Sequence, residues 1–360
     1  MPSLLACVLA LLFLAVLFLD PAAARAQDPA VADVVVIVDT STSMREEGMD
    51  PQWASLLVTK LFTDIVPGDL AVVRLLDLVT DADVLPRQQT DLTEPCDEDP
   101  SKQCGIVAPA SDWEADARTQ RLGALARPAR GDEAFKKELE QHLERRINNS
   151  IFALALRSAQ GVFDQHQGDA GRPAGIPRSV IWLSDGRTVD PEAVQQAIKD
   201  LVAGGVAVEA IVFGRGDTRL ARGAGLDVRQ VSNPADIMKA FAGSFRRIVQ
   251  APYEIDNLVA SQPNFEMKKN VDEAWIVVYG DATLGEVELE GPAGTVRAGH
   301  AADRWPTAGA YRVAYLKRPA AGHWTVRAEG GGNGVAYAVV QRSTLTPALL
   351  EPDSATSGTE

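Results

Sequence analysis

Histidine is scarce in this chain. The four in 360 residues are His142, His166, His300 and His323, and none stands in an H-E-x-x-H arrangement. No G-x-S-x-G elbow or Walker lysine loop occurs either. The common frames for metallohydrolase, serine hydrolase and nucleotide chemistry are thus absent, and the sequence predicts a protein that is not an enzyme. Positive charge is short as well: 35 Lys and Arg stand against 49 Asp and Glu, a net charge of −14. A chain so acidic has nothing to neutralise phosphates, which argues against nucleic-acid binding. Cysteine is limited to three residues, and the only long apolar run lies at the N-terminus, so no second membrane span is read.

That apolar run covers residues 4–19 and is followed by Asp20-Pro21 and the small-residue stretch 22–26. Ala24-Arg25-Ala26 is an A-x-A-type cleavage site, so residues 1–26 read as a signal peptide removed before Gln27. The opening Met-Pro-Ser carries no Lys or Arg, which keeps an uncleaved N-terminal membrane anchor as a second reading. Export to the periplasm, the cell surface or the medium follows in either case. Cys7 lies too early in the apolar run for a lipoprotein cysteine. Cleavage would leave Cys96 and Cys104, an even pair at short spacing that reads as one disulfide in an exported chain. Two free thiols are the alternative.

Between residues 32 and 250 strand and helix patterns alternate, predicting an α/β fold with a doubly wound, mostly parallel sheet and helices on both faces. Strands are expected at 34–38, 70–76, 178–183 and 206–213, with a short antiparallel return at 79–87. Helices are expected at 53–66, 135–146, 151–163, 191–203 and 235–249, the last with Ile237, Phe241, Phe245 and Ile248 on one face. Residues 88–131 break the pattern with four prolines, the cysteine pair and the acidic cluster Asp97, Glu98 and Asp99. They read as an irregular insertion, its acidic residues a solvated loop rather than a regularly spaced calcium loop. From residue 253 to 343 short alternating strands (275–279, 286–289, 311–316, 324–328, 335–340) separated by Gly and Pro turns predict a C-terminal all-β sandwich with Trp324 in its core. Residues 346–360 are polar and acidic and read as a disordered tail.

Chemistry concentrates where the first strand ends. The run Val34-Val-Val-Ile-Val38 suits a strand buried on both faces, and it delivers Asp39, Ser41 and Ser43 onto a short loop. One carboxylate and two hydroxyls at i, i+2 and i+4 are hard oxygen donors, suited to Mg²⁺ or Mn²⁺ rather than zinc. In open α/β sheets ligands bind beyond the carboxyl ends of the strands, where this loop must lie.

The pattern resembles the metal-ion-dependent adhesion site (MIDAS) of von Willebrand factor A (VWA) domains, with its D-x-S-x-S signature. The resemblance spans roughly residues 32–250 and extends to two further loops. Asn148-Asn149-Ser150-Ile151-Phe152, before a helix reading Ala155-Leu156-x-x-Ala159, is similar to the family's second loop, and places Ser150 where the family has threonine. Ser150 could equally be an N-cap, and Asn148-x-Ser150 is formally a glycosylation sequon. Residues 180–186 resemble the apolar strand ending in Thr-Asp-Gly, so that Asp185 would supply a second carboxylate; a plain Asp-Gly turn is the alternative. The resemblance implies one divalent cation held by Asp39, Ser41, Ser43, Ser150 and Asp185, with a position left for an Asp or Glu carboxylate of a protein ligand. It also makes the C-terminal sandwich similar to the immunoglobulin-like modules often joined to A domains. The implied function is metal-dependent, adhesion-type protein binding. A structural or accessory subunit of an envelope assembly or transport complex, using the A domain as a scaffold, is the other reading. The tripeptides Arg130-Gly131-Asp132 and Arg215-Gly216-Asp217 spell an adhesion motif, which we read as coincidence.

Overall fold

The structure is a computed structural model that describes residues 32–46, 49–50, 53–66, 69–75, 93–96, 99–105, 119–126, 133–143, 152–166, 175–188, 191–249, 253–259, 263–280, 284–297, 300–304, 310–330 and 335–343. The N-terminal segment, Ser150, Arg130-Gly131-Asp132, the 79–87 strand expectation and the tail lie outside them. Among the described residues no helix is long and apolar enough to cross a membrane.

In the first unit, β1 (Asp33–Val38) is followed by α1 (Ala54–Ile65) and β2 (Asp69–Leu75). Next come the hairpin of β3 (Thr93–Cys96) and β4 (Asp99–Gly105), then β5 (Thr119–Ala126), α2 (Glu133–Leu143) and α3 (Phe152–His166). The unit continues with β6 (Arg178–Ser184), α4 (Pro191–Ala203), β7 (Val206–Phe213), α5 (Arg219–Gly223), β8 (Asp227–Val231) and α6 (Pro234–Ile248). The main sheet runs β5-β2-β1-β6-β7-β8. Its strands are parallel except β5, which pairs antiparallel with the β2 edge.

Alternation along β1 divides the core. Val34, Val36 and Val38 join the cluster containing α1 and α6 residues, whereas Val35 and Ile37 face Phe152, Leu156 and Ile198 of α3 and α4. A strand buried on both faces must be apolar at every position, which accounts for the unbroken aliphatic run. Each fully buried side chain of this kind contributes about 1.5–3 kcal/mol.

One expectation about the insertion is corrected. The antiparallel partner of β2 is β5, within the stretch read as irregular, and the same stretch holds the β3–β4 hairpin. The reading failed because Pro95 and Pro100 stand inside the hairpin and β5 (TQRLGALA) has one β-branched residue and a glycine. Pairing, not propensity, makes these strands: β5 adds to the edge of β2, and β3 and β4 pair with each other. Among the described residues no disulfide is found. The hairpin register sets Cys104 opposite Glu94 and Cys96 opposite Asp99.

The C-terminal strands are β9 (Tyr253–Val259), β10 (Asn264–Met267), β11 (Val271–Gly280), β12 (Leu284–Gly291), β13 (Gly294–Arg297), β14 (His300–Arg304), β15 (Ala310–Lys317), β16 (Gly322–Gly330) and β17 (Val335–Ser343). They form two antiparallel sheets, β10-β16-β12-β13 and β14-β15-β11-β17-β9. Trp324 sits in the sandwich core, its ring stacked on Phe265 and packed where Gly291 has no side chain. The larger sheet is apolar on both faces. Ala274, Ile276 and Val278 of β11 face the sandwich core, while Trp275, Val277 and Tyr279 join the α1 and α6 cluster.

This docking explains a feature the helical pattern did not disclose: all twelve residues of α1 are buried, including Ser55, Thr59, Lys60, Thr63 and Asp64. A helix polar on one face yet buried all round needs its polar groups partnered. Asp64 receives the Tyr311 hydroxyl at 2.6 Å from β15 and the Lys136 ammonium at 2.8 Å from α2. Lys60 pairs with Glu140 of α2.

Candidate metal centre

The carboxyl ends of β1 and β6 place Asp39 and Asp185 side by side, both at 0% exposure. The Asp39 backbone N–H donates to Leu183 O at 2.9 Å, continuing the strand pairing into the loop. Asp39 Oδ1 accepts from the Ser41 backbone N–H at 2.8 Å, an Asx-type turn that starts the 3-10 turn Thr42–Arg45. The turn brings the Ser41 and Ser43 hydroxyls within 3.0 Å of each other. Four of the five ligands expected from the sequence are thus gathered at one edge of the sheet, and the fifth, Ser150, lies outside the described residues.

The electrostatics point to a missing positive charge. Burial, and then the neighbouring Asp185 carboxylate, push the Asp39 carboxyl up to about 6, against the opposing hydrogen bonds from Ser41 and Ser184. Asp185 Oδ1 accepts from the Arg187 backbone N–H at 2.9 Å, but its buried Oδ2 has no hydrogen-bond partner. The closest cation to that oxygen among the described residues is Arg187 Nε at 3.9 Å. The buried Thr40 hydroxyl is also without a partner. Two buried carboxylates with an unpartnered oxygen, flanked by hydroxyls, fit a small hard dication: Mg²⁺ and Mn²⁺ take oxygen donors and keep waters that can reach such groups. Among the described residues no three His, Cys, Asp or Glu side chains cluster, and the donors at these loops are carboxylates and hydroxyls.

Several residues that position the site carried no role in the sequence reading. Ser184 donates to Asp39 Oδ2 at 2.9 Å and accepts from the Gly186 N–H at 2.8 Å, tying the two carboxylate loops together. Its place beside Asp185 in the third loop was the available signal. Gly186 has φ +80°, and a Cβ there would lie 1.8 Å from the Asp217 carbonyl oxygen. Gly216 packs as closely on the other side, where a Cβ would lie 2.4 Å from Asp185 O, and the Asp217 N–H donates to that oxygen at 2.6 Å. Arg215-Gly216-Asp217 therefore owes its glycine to contact with the Asp185 loop, and the Asp217 carboxylate is taken up by Arg219. Behind the first loop, Asp50 caps α1 through the N–H groups of Ala54 (2.6 Å) and Ser55 (3.0 Å) and pairs with Arg45 at 3.2 Å. Arg45 in turn lies 3.5 Å over the Trp53 ring.

A parallel sheet edged by one antiparallel strand, with D-x-S-x-S at the end of its central β1 and S-D-G at the end of the adjacent β6, is an arrangement similar to an A domain of the von Willebrand factor type, here followed by an antiparallel β-sandwich. No family model matches the chain, and no curated protein sequence does. Solved structures similar to it include proximal thread matrix protein 1 from the mussel byssus, at 16% identity over 64% of this chain and 49% of that one, TM-score 0.40. The manganese-loaded TRAP protein of Plasmodium vivax is similar at 11% identity over 80% of this chain and 94% of that one, TM-score 0.37. The pilus adhesin SpaC of Lactobacillus rhamnosus GG, in an open conformation, is similar at 11% identity over 91% of this chain and 40% of its own, TM-score 0.42. The chain spans about half the length of the mussel protein it matches. The site assignment rests on this chain's own strand order and loop contacts.

Proposed function

We propose that the chain is a non-enzymatic, divalent-metal-dependent protein-binding module, exported to the cell envelope or secreted. The observation that carries this reading is the pair Asp39 and Asp185, both buried, with Asp185 Oδ2 unpartnered and Asp39 followed by the Ser41 and Ser43 hydroxyls held 3.0 Å apart. Asp39, Ser41, Ser43 and Asp185, with Ser150, would hold one Mg²⁺ or Mn²⁺. Bound there, the cation would supply an open coordination position for an Asp or Glu carboxylate of a protein partner. The chain's own residues do the rest. Ser184 holds Asp39 in register with the third loop, and Gly186 and Gly216 let the loops after β6 and β7 close against each other. The scarcity of histidine and the lack of a nucleophile frame support a binding role over a catalytic one.

Calorimetric titration of the full chain with Mg²⁺ and with Mn²⁺ tests the metal site, and partner capture from envelope extract with and without EDTA tests its use. Saturable binding lost in Asp39→Ala, with capture abolished by EDTA and restored by Mg²⁺, is the expected result. Capture that survives both chelation and Asp39→Ala would make the domain a permanent scaffold within an envelope complex.

A further inference from the structure

The chain is strongly acidic, yet arginines stand around the loop cluster: Arg187, Arg215 and Arg219 are all exposed. Arg219 is occupied, gripping Asp217 through Nε at 3.0 Å and through a second nitrogen at 2.6 Å. Arg187 is not held in this way. Its backbone N–H fixes the loop to Asp185 Oδ1; among the described residues its half-exposed guanidinium makes long contacts, 3.4 Å to Glu46 Oε2 and 3.9 Å to Asp185 Oδ2, and its charge also acts on the Asp217 carboxylate. It lies at the mouth of the site, against the same oxygen that has no hydrogen-bond donor.

We propose that Arg187 is a second anchor for the partner beside the metal position, and that the element recognised is a pair of neighbouring acidic groups rather than a single carboxylate. The inference rests on the metal-dependent reading above. A dication held through Asp185 would compete with the guanidinium for Oδ2 and repel it by like charge. The displaced fork would keep the exposed Glu46 and, at longer range, the Asp217 carboxylate already gripped by Arg219, both weak partners in water. A planar guanidinium so placed matches a carboxylate with two parallel hydrogen bonds. A partner's first acid would complete the cation's coordination and its second would meet Arg187. Local positive charge also selects for such a partner on a surface that otherwise repels acids.

The test uses the full chain, wild type and Arg187→Ala, with two readouts. One is calorimetric Mg²⁺ affinity. The other is fluorescence anisotropy, in Mg²⁺, of dye-labelled Gly-Asp-Glu-Gly and Gly-Asp-Gln-Gly peptides. Arg187→Ala should bind Mg²⁺ about 3–10-fold more tightly, because an internal competitor is gone. It should also lose about 10-fold in affinity for the two-acid peptide, and with it the preference over the glutamine peptide. Arg187→Lys should retain the weaker Mg²⁺ affinity but lose most of the preference, since it keeps charge without the fork. A wild type that binds Mg²⁺ without preferring the two-acid peptide overturns the second anchor alone. So does an Arg187→Ala variant with unchanged Mg²⁺ affinity or an intact preference. A wild type that binds no Mg²⁺ overturns the metal-dependent reading with it.

Discussion

Ser184 Oγ donates to Asp39 Oδ2 at 2.9 Å, a buried hydrogen bond between residues 145 apart in sequence. The same hydroxyl accepts from the Gly186 N–H at 2.8 Å, so one oxygen sets the spacing of both carboxylate loops. Ser184→Ala would leave a buried carboxylate oxygen and a backbone N–H short of partners. Its expected cost is about 1–3 kcal/mol of stability, with Mg²⁺ affinity lowered by about 10–100-fold, as for other groups that orient a ligand. Urea unfolding and calorimetry measure the two effects separately.

Asp39→Asn separates binding from stability. The variant should lose Mg²⁺ binding, since a charged donor is gone. In chelator it should be more stable than wild type, because the folded protein no longer desolvates that carboxylate or sets it against Asp185. The rise of Asp39 from 3.8 to about 6 bounds that gain at on the order of 2–3 kcal/mol. An unchanged or lowered urea midpoint in EDTA would contradict the repulsion described here.

Acidity should act in the same sense. The pKa of Asp39 is raised in the folded state, so between about pH 4 and pH 6 the native protein holds a proton that the unfolded chain has released. Its contribution to metal-free stability therefore falls as pH rises through that window and stays low above it. Metal binding needs the ionised form, so Mg²⁺ affinity should fall as pH drops below about 6. Urea midpoints across this range in EDTA and in saturating Mg²⁺ should show opposite trends, and the same slope in both would refute the assignment.

The junction between the two units offers a fourth check. Tyr311→Phe removes one donor from Asp64 but leaves Lys136, and should cost about 1–2 kcal/mol. Asp64→Ala takes the carboxylate from a lysine whose side chain is 2% exposed, and should cost about 3–5 kcal/mol. Both variants should still unfold in one transition followed alike by tryptophan fluorescence and far-UV circular dichroism.

What was legible in the sequence followed from residues whose role is local. β7 and α4 fall at the expected residues, and β1 ends where Asp39 begins, because aliphatic runs and Gly204-Gly205 act within a few positions. The adjacency of the Asp39 and Asp185 loops was readable because a sheet delivers neighbouring strand ends to one edge. The strand β5 was not, since its pairing is supplied by β2 rather than by its own side chains. The burial of Lys60 and Asp64 was also hidden: a helical pattern with Lys and Asp on one face reads as water-facing until a second unit covers it. Ser184 and Arg187 stood beside an expected ligand, but only the contacts of their side chains gave them roles.

The coverage of α1 also sets the order of events during synthesis. The carboxyl group of Asp64 waits for a hydroxyl 247 residues further along the chain, and Trp275, Val277 and Tyr279 close the same face. On the ribosome, the segment bearing the first metal loop emerges long before β15 and β17 can cover the helix behind it. Until then it exposes an apolar surface beside the Asp64–Lys136 and Lys60–Glu140 pairs, the kind of nascent intermediate that aggregates or recruits chaperones. Full burial of the helix behind the first loop thus depends on strands translated well after it.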